Sequence, residues 1–364
     1  MKTLTLARTL ALLALAAPAA DAAKRQVPQT YATIQAAVDA ASPGDTIEIA
    51  KGKYDESVQV IGRTGLSFVG KGKKTKWIAT SGDALFIDMS SQIVVKRIEF
   101  RAEDTGVKAW RSTHVLVDQC RFLDCVYGVS FADVAESTIR KCTFRWSTPH
   151  GEAFLRRGIT LAQKDNGVCV DSVIAKNDIR GARTGISETA GTLRSTIVKN
   201  VIRDGRTGIV SAYFGVVAGN TVRDMDNRGI TNLGTTVAVL DNEVRETGQE
   251  GIYISYGPDM IVAGNTLQKV GTGIFVGSIS TSHVFSNEIE KTTGDGIYVR
   301  SDAVSVQLTG NDVTKAGASG VHVEAGGHVL IGNTAFKSGA FDLNDETNAG
   351  DIVLVGNEFG TIAP

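Results

Sequence analysis

Nine asparagines recur through the second half of this 364-residue chain, Asn177, Asn200, Asn220, Asn242, Asn265, Asn287, Asn311, Asn333 and Asn357, at intervals of 20 to 24 residues. Two residues after most of them stands an apolar side chain, such as Ile179, Ile202, Val222 or Leu267. Eight or nine residues after each of the first seven comes Gly followed by Ile or Val, from Gly185-Ile186 to Gly320-Val321. A fixed period in the low twenties, with short alternating apolar stretches broken by Gly and Asn, marks a solenoid whose turns are strands. The period therefore predicts an all-β fold, a parallel β-helix. Gly158, Gly128 and Gly106 carry the glycine column upstream, where Ile98, Cys120 and Cys142 take the asparagine slot with Phe100, Phe122 and Phe144 two residues on. About a dozen coils result, and a strand spacing of roughly 4.8 Å makes the stack about 55 to 60 Å long. The asparagines are expected to need a turn that tolerates left-handed or bridging dihedrals, with carboxamides bonded from coil to coil.

Lys2 and Arg8, an apolar run at 10–17 and the tripeptide Ala20-Asp21-Ala22 make residues 1–22 read as a secretory signal peptide. The run falls short of the roughly 20 apolar residues that span a bilayer. The expected product is an exported protein, periplasmic or extracellular, with no membrane span and a single domain over residues 23–364. With 38 basic and 39 acidic residues the chain is nearly neutral, which argues against nucleic acid as a partner. Cys120 and Cys142 fall at equivalent points of adjacent coils, so a disulfide and a pair of small buried fillers are both open; parallel Cβ vectors at strand spacing suit a bridge poorly. Cys125 and Cys169 lack the spacing of a metal site, and no zinc is expected.

Residues 33–41 (TIQAAVDAA) place Ile34, Ala37, Val38 and Ala41 on one helical face, and Ser42-Pro43-Gly44-Asp45 stops the helix. A short helix ahead of an open β-helix caps its exposed first edge. The stretch from Tyr31 through this helix to Ile49, followed by Gly52-Lys53-Tyr54, resembles the opening of pectin-lyase-like right-handed parallel β-helix repeat proteins, and the later coils are similar to their repeats. The resemblance covers essentially the whole mature chain and implies a right-handed helix. Such proteins include pectate and alginate lyases, polygalacturonases, pectin methylesterases, mannuronan epimerases and copper-associated periplasmic proteins. The paired aspartates and Gly-His-Gly of the polygalacturonases are missing here, and where mannuronan epimerases have Asp-Pro-His-Asp this chain has Thr148-Pro149-His150-Gly151.

In similar proteins the strand beginning at the Gly column belongs to the first sheet, and the loop before it forms the lip of a polysaccharide-binding groove. The interval from asparagine slot to Gly widens to sixteen residues only between Cys142 and Gly158, so residues 146–157 form an insertion on that lip carrying His150, Glu152, Arg156 and Arg157. Arg183, Arg206 and Arg228 continue a column of arginines just before successive glycines, and arginine forks suit carboxylates. A second file, Arg145, Arg180, Arg203, Arg223 and Arg245, has acidic neighbours and reads as a solvated face. Two residues after later glycines come Tyr253, Phe275, Tyr298 and His322, a surface on which sugar rings or neighbouring aromatics stack. Inward polar residues at Glu188, Ser211 and Asn232 must find partners.

These residues together predict binding of an extended, acidic polysaccharide, with lyase or uronate epimerase chemistry as the catalytic form of that reading. Arg183 and Arg206 would neutralise a uronate carboxylate, His150 would take the C5 proton, and Tyr213 or His150 would protonate the leaving oxygen. The binding residues are then Glu152, Arg156, Arg157, Glu188, Tyr213, Arg228, Tyr253, Phe275 and Tyr298. No cofactor is expected; calcium could replace arginine in such chemistry, but no aspartate cluster has ligand spacing. The competing reading is a noncatalytic wall-binding, surface or periplasmic assembly protein. Its copper-associated form needs clustered Met, Cys or His, whereas Met89, Met225, Met260 and the five histidines are scattered.

Overall fold

The computed structural model describes residues 22–147, 156–165, 167–347 and 351–363. Almost all of the leader at residues 1–22, together with His150 and Glu152, lies outside these residues. The rest winds into a parallel β-solenoid of about 15 turns. One face is a sheet whose strands run from Val58–Ile61 through Thr105–Thr113, Thr184–Glu188, Thr207–Ser211 and Ile252–Pro258 to Leu343–Asp345, each parallel to the next. We call it the groove sheet. The other two faces are columns of short parallel strands, fused into one 27-stranded sheet because Ser67–Ala79 and Val94–Ala102 each run through both.

Register explains why the repeat is so regular. Ile186, Ile209, Ile230, Ile252, Ile274, Ile297 and Val321 stand opposite one another in successive coils, all fully buried. Since side chains alternate between faces, a one-residue slip would turn this whole file out to water. The N-terminal coils fill the same tube with rings: Trp77, Phe100, Phe122 and Phe144 stack at centroid separations of 5.4, 5.3 and 4.8 Å. The glycine column makes room for them. A Cβ on Gly128 would lie 2.4 Å from the Phe144 ring, and one on Gly208 would lie 2.4 Å from Val222 and 2.5 Å from the Gly229 carbonyl. Close approach, not a left-handed dihedral, therefore holds these positions as glycine.

The asparagines form an unbroken ladder from Asn177 to Asn357. The backbone N–H and Nδ2 of Asn200 both donate to Asn220 Oδ1 (2.9 and 3.0 Å), while Nδ2 also donates to the Ile174 carbonyl of the preceding coil (2.9 Å). The same pattern links Asn220 to Asn242, Asn242 to Asn265, and so on to Asn333 and Asn357. One expectation is refined. The left-handed residue is the one before each asparagine, Lys176, Lys199, Asp241 and Ser286 at φ of 51–57° and glycine at 219, 264, 310, 332 and 356. That residue makes the turn, which leaves the asparagine free to aim both its amide and its carboxamide along the axis.

The helix Ile34–Asp39 covers the first coils, burying Ile34, Ala37 and Val38, with Thr33 as N-cap. Glu56 closes its N-terminus from below, accepting from the backbone of Ile34 and Gln35. Lys24–Val27 pairs with Thr46–Ile49 as an additional strand ahead of the helix. At the other end Thr361 and Ala363 bond back to Asp342 and Leu343, while Val353, Leu354 and Val355 stay about half exposed. All four cysteines are free and buried, and burial pushes the Cys142 thiol well up. Cys120 and Cys142 are thus fillers of the asparagine slot, their thiols directed at carbonyls such as Val95 and Arg140.

Two substitutions test the turn. Asn242→Ala leaves the Asn220 N–H with no acceptor and takes one of the bonds of its Nδ2, which keeps the Ile197 and Ala218 carbonyls, and should lower stability by about 2 kcal/mol or more at roughly 1–3 kcal/mol per orphaned group. Lys199→Gly should raise it by about 0.5–1 kcal/mol, because relief of a left-handed side chain worth about 1–2 kcal/mol outweighs the entropy glycine adds to the unfolded chain. Urea unfolding followed by circular dichroism reads both, and an Asn242→Ala midpoint equal to that of the wild type would show that the ladder is dispensable.

Candidate functional site

The outward side of the groove sheet is one continuous row. Its members stand in register as Phe86, Lys108, Ser130, Thr160, Ser187, Val210, Thr231, Tyr253, Phe275, Tyr298 and His322. Over the last four the rings stack, at 4.7 Å for Tyr253 on Phe275, 5.4 Å edge to face for Phe275 and Tyr298, and 4.9 Å for Tyr298 on His322. All four are half-buried, so each presents part of an apolar face to solvent.

The lip carries the charge. Arg156, Arg183 and Arg206 follow one another along one backbone column, and Arg157 and Arg228 stand one residue later in theirs. Part of this lip is paired within the molecule. Arg228 is ion-paired to Glu250 (Nε–Oε2 2.6 Å) and its guanidinium lies 3.7 Å above the Tyr253 ring, while Arg156 and Arg183 also have intramolecular contacts. Arg228 thereby joins the cationic lip to the aromatic floor. Within the two lip columns across these four coils there is no carboxylate, whereas Asp83 and Asp104 stand upstream and Glu250 downstream. The second arginine file is paired locally, Arg180 with Asp204 (2.5 Å), Arg203 with Asp178 (3.4 Å), Arg223 with Asp224 (2.5 Å) and Arg245 with Glu243 (2.6 Å).

Two predicted site residues are placed differently from expectation. Glu188 is only 4% exposed and faces the coil interior, because it alternates with outward Ser187; it lines a polar pocket in the core, not the groove. There its Oε2 accepts from the Ala212 backbone (2.9 Å), its Oε1 has no partner, and burial pushes its carboxyl above the ordinary value. Ser211 and Asn232 fill the same inward file in the next two coils and bond to each other (3.2 Å). Tyr213 follows the groove strand Thr207–Ser211 and Arg206 precedes it, so they flank the groove from opposite sides, separated by roughly 20 Å of extended backbone.

Two constellations were not anticipated. The first is a cavity of about 210 Å³ at the N-terminal end of the groove, lined by Asp83, Phe86, Lys108, Trp110, Ser130 and Lys164 with Ala109 and Ala132. Extending the outward column upstream from Tyr253 would have reached Phe86 and Lys108; Trp110 and Lys164 lie outside that column. The second surrounds the end of the aromatic row. The Tyr298 hydroxyl donates to Glu324, and burial together with that carboxylate pushes the phenol well up. His322 sits between Asp295 (3.3 Å) and Glu346 (2.9 Å), and its hydrogen bond to Asp295 raises its pKa. Among the described residues no three His, Cys, Asp or Glu side chains converge to hold a metal ion, and no helix is long and apolar enough to cross a membrane.

With this geometry the sequence can be set against known families. The profile described as right handed beta helix region matches residues 83–238 and 215–359. The chain belongs to the right-handed β-helix family. Among solved members of this architecture, a periplasmic alginate epimerase superposes with a TM-score of 0.61 at 14% identity, over 88% of this chain and 85% of that one. The catalytic unit of the α-1,3-glucanase from Streptomyces thermodiastaticus gives 0.55 at 19% identity, over 90% of this chain and 66% of that one. The A-module of a mannuronan C-5 epimerase from Azotobacter vinelandii gives 0.53 at 17% identity, over 91% and 90%. At these identities the likeness shows the right-handed β-helix fold alone. Comparison with curated protein sequences finds no significant match.

The buried carboxyl supplies a pH test. Glu188 binds its proton more tightly folded than unfolded, so the native protein should lose stability as pH rises from the ordinary carboxyl value through the raised one. Glu188→Gln lacks this group, and its melting temperature should gain on the wild type between pH 4 and pH 8. A difference that stays constant across that range would mean the carboxyl is not held in its neutral form.

Proposed function

We propose that this right-handed β-helix protein is exported and binds an extended, acidic polysaccharide along its groove sheet. The observation that carries the reading is the junction at Arg228, where a lip of arginines meets a floor of stacked rings. Sugar rings are apolar on their faces and ringed by hydroxyls at their edges, so a strip of half-buried aromatics offers contact area without demanding a particular hydroxyl pattern. A neutral glycan would make no use of the positive charge gathered along the lip. A uronate places one carboxylate per residue along such a lip, and each can be met by a forked, charge-assisted pair of hydrogen bonds. The likeness in fold to proteins named as alginate epimerases and as an α-1,3-glucanase is in keeping with a polysaccharide ligand.

The reading is one of binding first. Turnover by β-elimination or epimerisation needs a base beside the arginines, and the group the sequence offers is His150, in the insertion next to Arg156. Neutral imidazole accepts a proton near pH 7, whereas the arginines stay charged.

Arg183→Gln together with Arg206→Gln should weaken binding of polygalacturonate or alginate about tenfold or more and flatten its salt dependence, since both effects come from the same charges. Arg180→Gln with Arg203→Gln, on the internally paired file, should change affinity less than twofold. Isothermal titration at two ionic strengths measures this. Equal losses from the two pairs, or equal binding of a neutral glucan by the native protein, would overturn the reading. If unsaturated product also forms, its absorbance should vanish in His150→Ala.

A further inference from the structure

The cavity at Trp110 is separated from the arginine lip and has its own chemistry. Lys164 reaches back from the end of the strand Arg157–Ala162 so that its ammonium lies 3.6 Å from the Trp110 ring centroid. No carboxylate pairs with it among the described residues, whereas the other cations here are matched: Lys108 by Asp83 (2.9 Å) and Arg111 by Asp88 (Nε–Oδ1 2.9 Å). Asp83 uses only one oxygen on Lys108, and its Oδ1 is buried with no hydrogen-bond partner. The neighbouring Asp104 carboxyl is pushed up by burial and by the charge of Asp83. Phe86 forms an apolar wall, the Trp110 ring carries Lys164 and also the Arg111 guanidinium (3.9 Å to the centroid), and Ala109, Ser130 and Ala132 are small enough to leave the volume open.

A ligand that suits this cavity must bring an anion for Lys164 and an apolar face for Phe86. Inorganic phosphate or sulfate fails the second condition and a neutral hexose fails the first. A uronic acid meets both in one ring. We infer that the Trp110 cavity is a subsite for a single uronate residue of the glycan, its carboxylate on Lys164 and one ring face against Phe86. This inference rests on the groove reading, because the subsite opens onto the same row of outward residues through Phe86, Lys108 and Ser130.

The tryptophans make it directly measurable. Trp77 is 0% and Trp146 9% exposed, while Trp110 is half-buried in the cavity wall, so ligand-dependent changes in emission come from Trp110. Digalacturonate or dimannuronate should produce a saturable change in emission that cellobiose does not. Trp110→Phe should abolish the signal, and Lys164→Met should weaken binding tenfold or more while leaving the melting temperature within a degree or two. Calorimetry with the same disaccharides supplies a readout independent of the fluorophore. A response to cellobiose equal to that of the acidic disaccharides, or unchanged affinity in Lys164→Met, would overturn the subsite. If polygalacturonate or alginate binds the native protein with neither the polymer nor the disaccharides altering Trp110, the subsite fails while the groove reading stands; if neither polymer nor disaccharide binds, both fail.

Discussion

The buried carboxamide is the interaction on which this molecule depends. From Asn177 to Asn333 each asparagine side chain sits where two strands turn, with almost no exposure, in a place where any unpaired polar atom would cost about as much as a coil can spare. It meets that demand by taking an acceptor role toward one neighbour and a donor role toward the next, so no single coil can satisfy its own turn. Stability is thereby distributed along the axis, as expected of a repeat whose units contact only their neighbours. In the N-terminal third the same place is held by Ile98, Cys120 and Cys142, and the packing shifts to stacked Phe rings. One tube is built by two means, apolar contact at one end and hydrogen bonding at the other.

Because the interior is settled by these files, the outward side of the groove sheet can vary from coil to coil. The strand Thr184–Glu188 shows the division of labour: Ile186 and Glu188 face inward, and Ser187 between them belongs to the groove. The resulting surface changes character along its length, from Asp83 and Asp104 through the arginines to the rings and carboxylates around His322. A chain-like ligand laid along the axis would meet these zones in order, which fits recognition of a polymer better than of a small molecule.

The fold was legible because its signal is repeated: nine asparagines and ten glycines each report the same local constraint, and a misread residue in one coil is outvoted by the others. The register of Ile186 through Val321 followed directly from that spacing. What was hidden were facts about single positions. The left-handed dihedral sits one residue before the asparagine, on Lys176 and Lys199 in two coils, which have no turn signature of their own, although glycine at 219, 264, 310, 332 and 356 marks the same place. Glu188 stood at an inward position of the repeat, but an acidic side chain is rarely buried, and the register together with its burial decides for a polar pocket in the core over the groove. The partners of Arg228 and the contact between Lys164 and Trp110 join coils whose separation in sequence is set by irregular turns, beyond what spacing alone can tell. Both arise from long side chains reaching across the stack.

The asparagine ladder also has a direction. Every Oδ1 points toward the preceding coil and every amide N–H toward the following one, without reversal from Asn177 to Asn357. A coil that has just closed on its predecessor therefore has its Oδ1 already engaged on the trailing edge and presents two unspent donors on its leading edge. Assembly is polar in the way filament growth is polar: the next asparagine to arrive finds a template, while a coil formed ahead of its neighbour finds none. In a chain made from its N-terminus, the order of synthesis and the order in which the ladder can be extended are the same.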